Sequence, residues 1–152
     1  MNDVSAAVGM AQLERLEDLV ANRRKSATLF AGAVKGCDWF KPQVTPEGYE
    51  NSYYTFAARY YGAGERGIAW KDFYNRYLEM GGDGFYGTCM IPYLEPALRG
   101  KTFGATTCEK GLCPVAEDLQ NRIMQFKTNY RDLGQAKKKA AILSDLSDDI
   151  GR

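Results

Sequence analysis

The sequence predicts an α+β fold, a small and largely antiparallel sheet covered by helices. Three observations carry that expectation. At 152 residues the chain fits one domain. Its periodicities run helix, strand, helix, strand, loop, helix, helix, an order that suits one layer of strands under one of helices. It shows no internal repeat and no low-complexity segment.

The elements follow in order. From Asp3 to about Val34, apolar residues at Val4, Val8, Leu13, Leu16, Val20, Ala27 and Phe30 recur at helical spacing. Asn2 or Asp3 can cap the start and Gly36 lies just past the end, which predicts one long helix with Gly9 as the place for a kink. Arg23, Arg24 and Lys25 in its second half read as a solvated or dipole-complementing face. Asp38, Trp39 and Phe40 form a short extended piece before a connection rich in turn residues, Pro42, Pro46 and Gly48. Residues 52–61, Ser-Tyr-Tyr-Thr-Phe-Ala-Ala-Arg-Tyr-Tyr, make the clearest strand, and their neighbouring aromatics predict at least partial cover on both faces.

Trp70, Phe73, Tyr74, Tyr77 and Leu78 predict a helix that Gly81 and Gly82 stop before a second strand at residues 84–88. Residues 89–112 contain Pro92, Pro96, Gly100, Gly104 and Gly111 and read as a long irregular loop, a kind of segment that is usually functional or mobile. Pro114 suits the first turn of a helix running to about Phe126, with Val115, Leu119, Ile123 and Met124 on one side. A last helix starts near Leu133 and ends in a polar tail, Ser147 to Arg152, expected to fray.

Composition excludes more than it identifies. There is no histidine, which removes serine-histidine and cysteine-histidine catalysis within this chain. Of four cysteines, only Cys108 and Cys113 are spaced like half of a metal knuckle, and nothing completes it, so reduced thiols without a metal are expected. A net charge of +1 gives no reason to expect nucleic acid as a partner. No signal-peptide pattern and no apolar run of membrane-spanning length is present, and the expectation is a cytoplasmic chain with no membrane partner.

Few side chains suggest chemistry on their own. Gly81-Gly82-Asp83-Gly84 follows a helix and precedes a strand, the reverse of a phosphate-cradling loop, and reads as a turn. Glu14, Glu17 and Asp18 lie among Arg15 and Arg23 and read as helix-face ion pairs, leaving no catalytic carboxylate pair. Tyr53, Tyr54, Tyr60, Tyr61 and Tyr86 offer stacking faces and hydroxyl tips suited to sugars and nucleotides, and they suit sheet packing equally. Lys127 is the one lysine imaginable as a Schiff base, but no aspartate for a pyridine nitrogen and no phosphate cup accompanies it.

The order of motifs is nevertheless recognisable. The opening, Met1-Asn2-Asp3-Val4-Ser5-Ala6-Ala7-Val8-Gly9-Met10-Ala11-Gln12-Leu13-Glu14-Arg15-Leu16, resembles the DegT/StrS family of sugar aminotransferases, where such a segment leads into the helix linking large and small domains. Arg23-Arg24-Lys25 is similar to that family's arginine-rich stretch, and Asn51-Ser52-Tyr53-Tyr54-Thr55-Phe56 matches its first small-domain strand. Cys113-Pro114-Val115-Ala116-Glu117-Asp118-Leu119, followed by Arg122-Ile123-Met124, looks like its late helix start.

The resemblance implies the C-terminal small domain of a fold-type I aminotransferase, with residues 1–35 as interdomain helix, 36–126 as sheet, helix and loop, and 127–152 as C-terminal helix and tail. It implies pyridoxal phosphate in the parent enzyme, held by a lysine in an N-terminal large domain absent from this chain, and therefore no catalytic residue and no bound cofactor here. The parent would be a homodimer that moves an amino group, from glutamate, to a keto-sugar, often nucleotide-linked. Asn2, Tyr53, Tyr54 and Tyr86 are the candidate substrate contacts. The alternative is a non-catalytic binding or regulatory module that keeps the fold. Two departures stand out: tyrosines occupy positions where the family often has histidine, and Gln125-Phe126-Lys127-Thr128-Asn129-Tyr130 replaces its leucine-proline exit.

Overall fold

The computed structural model describes residues 2–151, so Met1 and Arg152, the outer ends of the opening motif and of the acidic tail, lie outside the described residues. The elements are α1 (Asp3–Leu13), α2 (Leu16–Ala33), β1 (Phe40–Pro42), β2 (Thr55–Tyr60), α3 (Gly62–Glu65), α4 (Trp70–Glu79), a 3-10 turn (Pro92–Leu94), β3 (Thr102–Phe103), β4 (Thr106–Thr107), α5 (Pro114–Gln120), β5 (Ile123–Lys127) and α6 (Leu133–Ile150). An antiparallel sheet in the order β1-β2-β5 lies against the helices, and β3 and β4 form a separate small hairpin. The predicted α+β class holds.

The long N-terminal helix is two helices. The break falls at Glu14 and Arg15, not at Gly9, which stays helical with open space around it. Arg15 N–H closes a tighter bond to Gln12 O at 3.2 Å, and the chain restarts at Leu16. Asn2 is the cap: its Oδ1 accepts from the Ser5 N–H at 2.8 Å. Burial begins only beyond the break, with Ser26, Ala27, Phe30 and Ala33 on the inner face of α2.

β2 alternates as a half-buried strand should, with Phe56, Ala58 and Tyr60 inward and Arg59 exposed on the opposite, half-covered face. Its partner β5 corrects the sequence reading. The helix expected to reach Phe126 stops at Gln120, and after a turn at Asn121 the chain takes a period of two that buries Met124 and Phe126. The predicted strand at residues 84–88 supplies one bridge only, Tyr86 to Gln125. The sheet thus takes its third strand from a segment that looked helical.

The core is aromatic. Phe30 stacks on Phe126 at 5.4 Å and on Phe56 at 6.1 Å, and Trp39, Phe40, Tyr60 and Phe73 form an adjoining edge-to-face group. α6 packs along α2 with Ala136, Ala140, Leu143 and Leu146 buried. The fraying expected from Ser147 does not occur. Ser147 is buried, the helix runs to Ile150, and the Gly151 carbonyl accepts from Trp39 Nε1 at 3.1 Å and Arg66 Nε at 3.0 Å.

At the end of α4, Gly81 takes a left-handed backbone (φ 89°), and a Cβ at Gly82 would fall on the Tyr77 ring. The turn reading of this glycine run holds. The 89–112 loop is partly organised by its 3-10 turn and hairpin, and Glu117 Oε1 gathers its end by accepting from Tyr93 Oη at 2.6 Å and from Gly111 N–H at 2.7 Å.

Candidate functional site

Two of the four predicted contact residues meet. Tyr54, just before β2, and Tyr86, at its bridge to β5, are 81% and 67% exposed and line one open groove of ≈690 Å3. Arg23, Thr55, Gly87, Thr88, Cys89, Gln125, Lys127 and Asn129 complete its walls. Exposed phenols beside hydroxyl, amide and cationic groups offer a flat apolar surface edged with hydrogen-bonding groups, which suits a polar ring such as a sugar.

Local structure fixes both tyrosines from behind. Tyr53 has a left-handed backbone (φ 51°), rare for a side chain with a Cβ, and strain of this kind collects at functional sites. The buried Thr128 hydroxyl lies 2.6 Å from Tyr53 O and 3.0 Å from Tyr54 O, donating to these carbonyls. Arg23 Nη1 reaches Tyr54 O at 2.9 Å, and its guanidinium lies 5.5 Å from the Tyr54 ring centre. Arg24 grips the same loop through Asn51 O (3.0 Å) and Glu50 Oε2 (2.7 Å). The arginines read as a solvated face therefore hold the 50–54 loop, because that loop returns to lie along α2.

On the other wall, Tyr86 exchanges backbone bonds with Gln125 at 3.0 and 2.8 Å. The Gln125 side chain spans the groove floor, accepting from Thr55 Oγ1 at 3.2 Å and donating to Gly87 O at 2.8 Å. Tyr53 and Asn2 are not among the groove-lining residues. Tyr53 packs against the core and Asn2 caps α1.

Lys127 is committed elsewhere. Its Nζ lies 3.8 Å from Asp83 Oδ2 and 4.8 Å from the Tyr130 ring centre. Asp83 also binds Lys139 Nζ (3.1 Å) and Tyr130 Oη (2.8 Å). Burial raises the Asp83 carboxyl, but the hydrogen bonds from Tyr130 and Lys139 and the charges of Lys139 and Lys127 outweigh it and hold the group below the usual aspartate range. Burial, then Asp83 itself, pushes the Tyr130 phenol well above its ordinary value.

These residues do not fit pyridoxal phosphate. The groove lines no carboxylate for a pyridinium nitrogen, and its lysine is paired with Asp83 and Tyr130. Among the described residues no group of three or more histidine, cysteine or acidic side chains could hold a metal ion, and no disulfide joins any two of the four cysteines. No helix among the described residues is long and apolar enough to cross a membrane.

What sequence reasoning missed are the supports: Thr128, Gln125 and the role of Arg23. Each acts across 31 or more residues of chain, and a buried threonine after a strand carries no local signal.

Comparison with known proteins adds the following. The model of the DegT/DnrJ/EryC1/StrS aminotransferase family matches residues 1–138. No curated protein matches significantly. The aminotransferase TlmJ from Streptoalloteichus hindustanus is similar at 19% identity with a TM-score of 0.74, over 99% of this chain and 37% of that one. DesV from S. venezuelae, solved with a ketimine intermediate, is similar at 17% identity and a TM-score of 0.75, over 97% of this chain and 36% of its own. Spr1654 from Streptococcus pneumoniae, described as a sugar aminotransferase and solved in its PLP form, gives 16% identity and a TM-score of 0.75, over 100% and 37%. At these identities the likeness is one of fold, and the chain spans little more than a third of each of these proteins.

Proposed function

This chain belongs to the DegT/DnrJ/EryC1/StrS aminotransferase family, and from that premise we propose that it is the small domain of a pyridoxal-phosphate-dependent sugar aminotransferase. The observation that carries the reading is the groove: two exposed tyrosines on rigidly held backbone, with cationic and amide groups around them, in a chain that spans about a third of its structural relatives. The parent enzyme moves an amino group, from glutamate, to a keto-sugar. The cofactor supplies the carbanion chemistry when bound in the large domain.

This chain's residues bind and orient. Tyr54 and Tyr86 lie against the sugar ring, and Thr88 and Gln125 are within the same groove to meet its hydroxyls. Closure of the domain over the substrate excludes water from the reacting carbon. The large domain covers the exposed apolar residues of α1, and the parent is a cytoplasmic homodimer. The isolated chain neither binds the cofactor nor catalyses transfer.

Two measurements test this. The DNA upstream of the Met1 codon is expected to continue an open frame encoding a lysine-bearing large domain, and a stop codon with a ribosome-binding site there would sink the fragment reading. Pyridoxal phosphate added to the purified chain is expected to give no absorbance band of a lysine-bound cofactor. A band that vanishes in Lys127→Ala would overturn the assignment of catalysis to the missing domain.

A further inference from the structure

The two tyrosine walls of the groove are built differently. Tyr54 leads straight into β2, and its carbonyl is held by Thr128 and Arg23. Tyr86 lies in residues 82–91, a stretch with no helix or strand of its own. A wall of this kind keeps its place only where other elements tie it down. The middle is tied by Phe85, buried against Phe126 at 4.8 Å and Trp70 at 5.0 Å, and by the bridge from Tyr86 to Gln125. Beyond them Thr88 Oγ1 donates to Gln120 O at 3.1 Å. The near end, where the chain leaves α4, is tied by charge.

Lys139 of α6 donates to Gly81 O at 2.7 Å and lies 3.1 Å from Asp83 Oδ1, so one ammonium spans the turn. Tyr130 Oη donates to the other carboxylate oxygen, Asp83 Oδ2, at 2.8 Å. A partner on each oxygen fixes the direction of the carboxylate as well as its charge. Tyr130 stands two residues after Thr128, and the in-out alternation of β5 continues through both: each is buried, while Asn129 between them is exposed and lines the groove. One short connection therefore holds both walls, the Tyr54 side through Thr128 and the Tyr86 side through Tyr130 and Asp83. Thr128 and Tyr130 belong to the run that departs from the family's leucine-proline exit.

We infer that Asp83 is a positioning residue for the groove: joined to Tyr130 and Lys139, it sets the place of the Tyr86 wall relative to the Tyr54 wall. It acts through the chain, three residues before Tyr86, and is not among the groove-lining residues. The separation of the walls decides what width of ligand the groove admits. That the ligand is a sugar rests on the reading above, while the latch itself does not.

The test compares Asp83→Ala and Tyr130→Phe with wild-type chain brought to the same stability by urea, so that a general loosening cancels. Hydrogen exchange reads the Tyr86 and Gln125 amides that form the bridge, and fluorine resonance of 3-fluorotyrosine reads the Tyr54 and Tyr86 rings, assigned through Tyr54→Phe and Tyr86→Phe. In both variants the two bridge amides are expected to exchange about tenfold faster and the Tyr86 ring signal to broaden or split. The Tyr54 ring signal and the Tyr60 amide, which donates to Arg122 O at 2.7 Å, should match the urea-weakened wild type. Combining the two substitutions should add little to Asp83→Ala alone, because both break one link. An unchanged Tyr86 signal in Asp83→Ala would overturn the proposal and leave the wall to Phe85. Equal changes at Tyr54 and Tyr86, or fully additive effects in the double variant, would also overturn it. None of these readouts uses a sugar, so failure of the sugar reading would leave them standing.

Discussion

α1 and α2 follow one another across two residues and differ in almost every physical respect. α1 carries Val4, Val8, Met10 and Leu13, all more than half exposed, and buries nothing. α2 is the more polar helix, yet it seats Ala27, Phe30 and Ala33 in the core and anchors the 50–54 loop with two arginines. The comparison teaches that apolar content does not decide burial. What decides it is whether an apolar stripe faces another element, and among the described residues α2 packs against α6 and β2 while α1 buries no residue. A lone helix of 11 residues is marginal in water, and α1 lacks the packed surface that supports α2.

The contrast can be tested from its strong end downward. Phe30→Ala removes the ring that stacks on Phe56, Phe126 and Tyr130, and is expected to cost about 3–5 kcal/mol in denaturant unfolding. A cost below about 1 kcal/mol would show that α2 is no better seated than α1. Next comes Thr128→Val, which leaves the carbonyls of Tyr53 and Tyr54 without the buried hydroxyl. About 1–3 kcal/mol should be lost, and the Tyr54 amide should exchange faster with solvent.

Acid should act on the well-packed side through Asp83. Its carboxyl pKa lies lower in the folded chain than in the unfolded one, so its contribution is complete above the ordinary aspartate range and is lost as pH falls through the folded value. Thermal scans are expected to show the melting temperature dropping as pH falls below that range, with a shallower drop in Asp83→Asn. An identical acid limb in the variant would remove Asp83 from the account. The smallest effect belongs to α1: Val8→Ser with Leu13→Ser should change unfolding stability by no more than about 0.5 kcal/mol while reducing self-association in sedimentation. A large loss of stability there would break the comparison.

The same contrast explains what the sequence disclosed. α2, α4 and α6 were legible because their apolar residues repeat against a core, and β2 because it alternates within a run of aromatics. β5 was hidden. Leu119, Ile123 and Met124 have a spacing that also suits a helix, and Asn121 alone marks the turn that separates them. For the groove, Tyr54 and Tyr86 could be named from residue type, since exposed phenols have a recognisable chemistry. Their supports could not, because Thr128 acts on a loop 74 and 75 residues away and that pairing exists only once β2 and β5 are in register.

The grip on the Gly151 carbonyl makes the last helical turn a fastener. Trp39, fully buried, donates its indole N–H to a residue 112 positions later, and Arg66 holds the same oxygen. Trimming the chain back to Asp149 would leave that indole donor without its acceptor inside the aromatic core, far from the trimmed end in sequence. Tags and fusions placed there act on the centre of the protein, whereas changes at the exposed first helix do not.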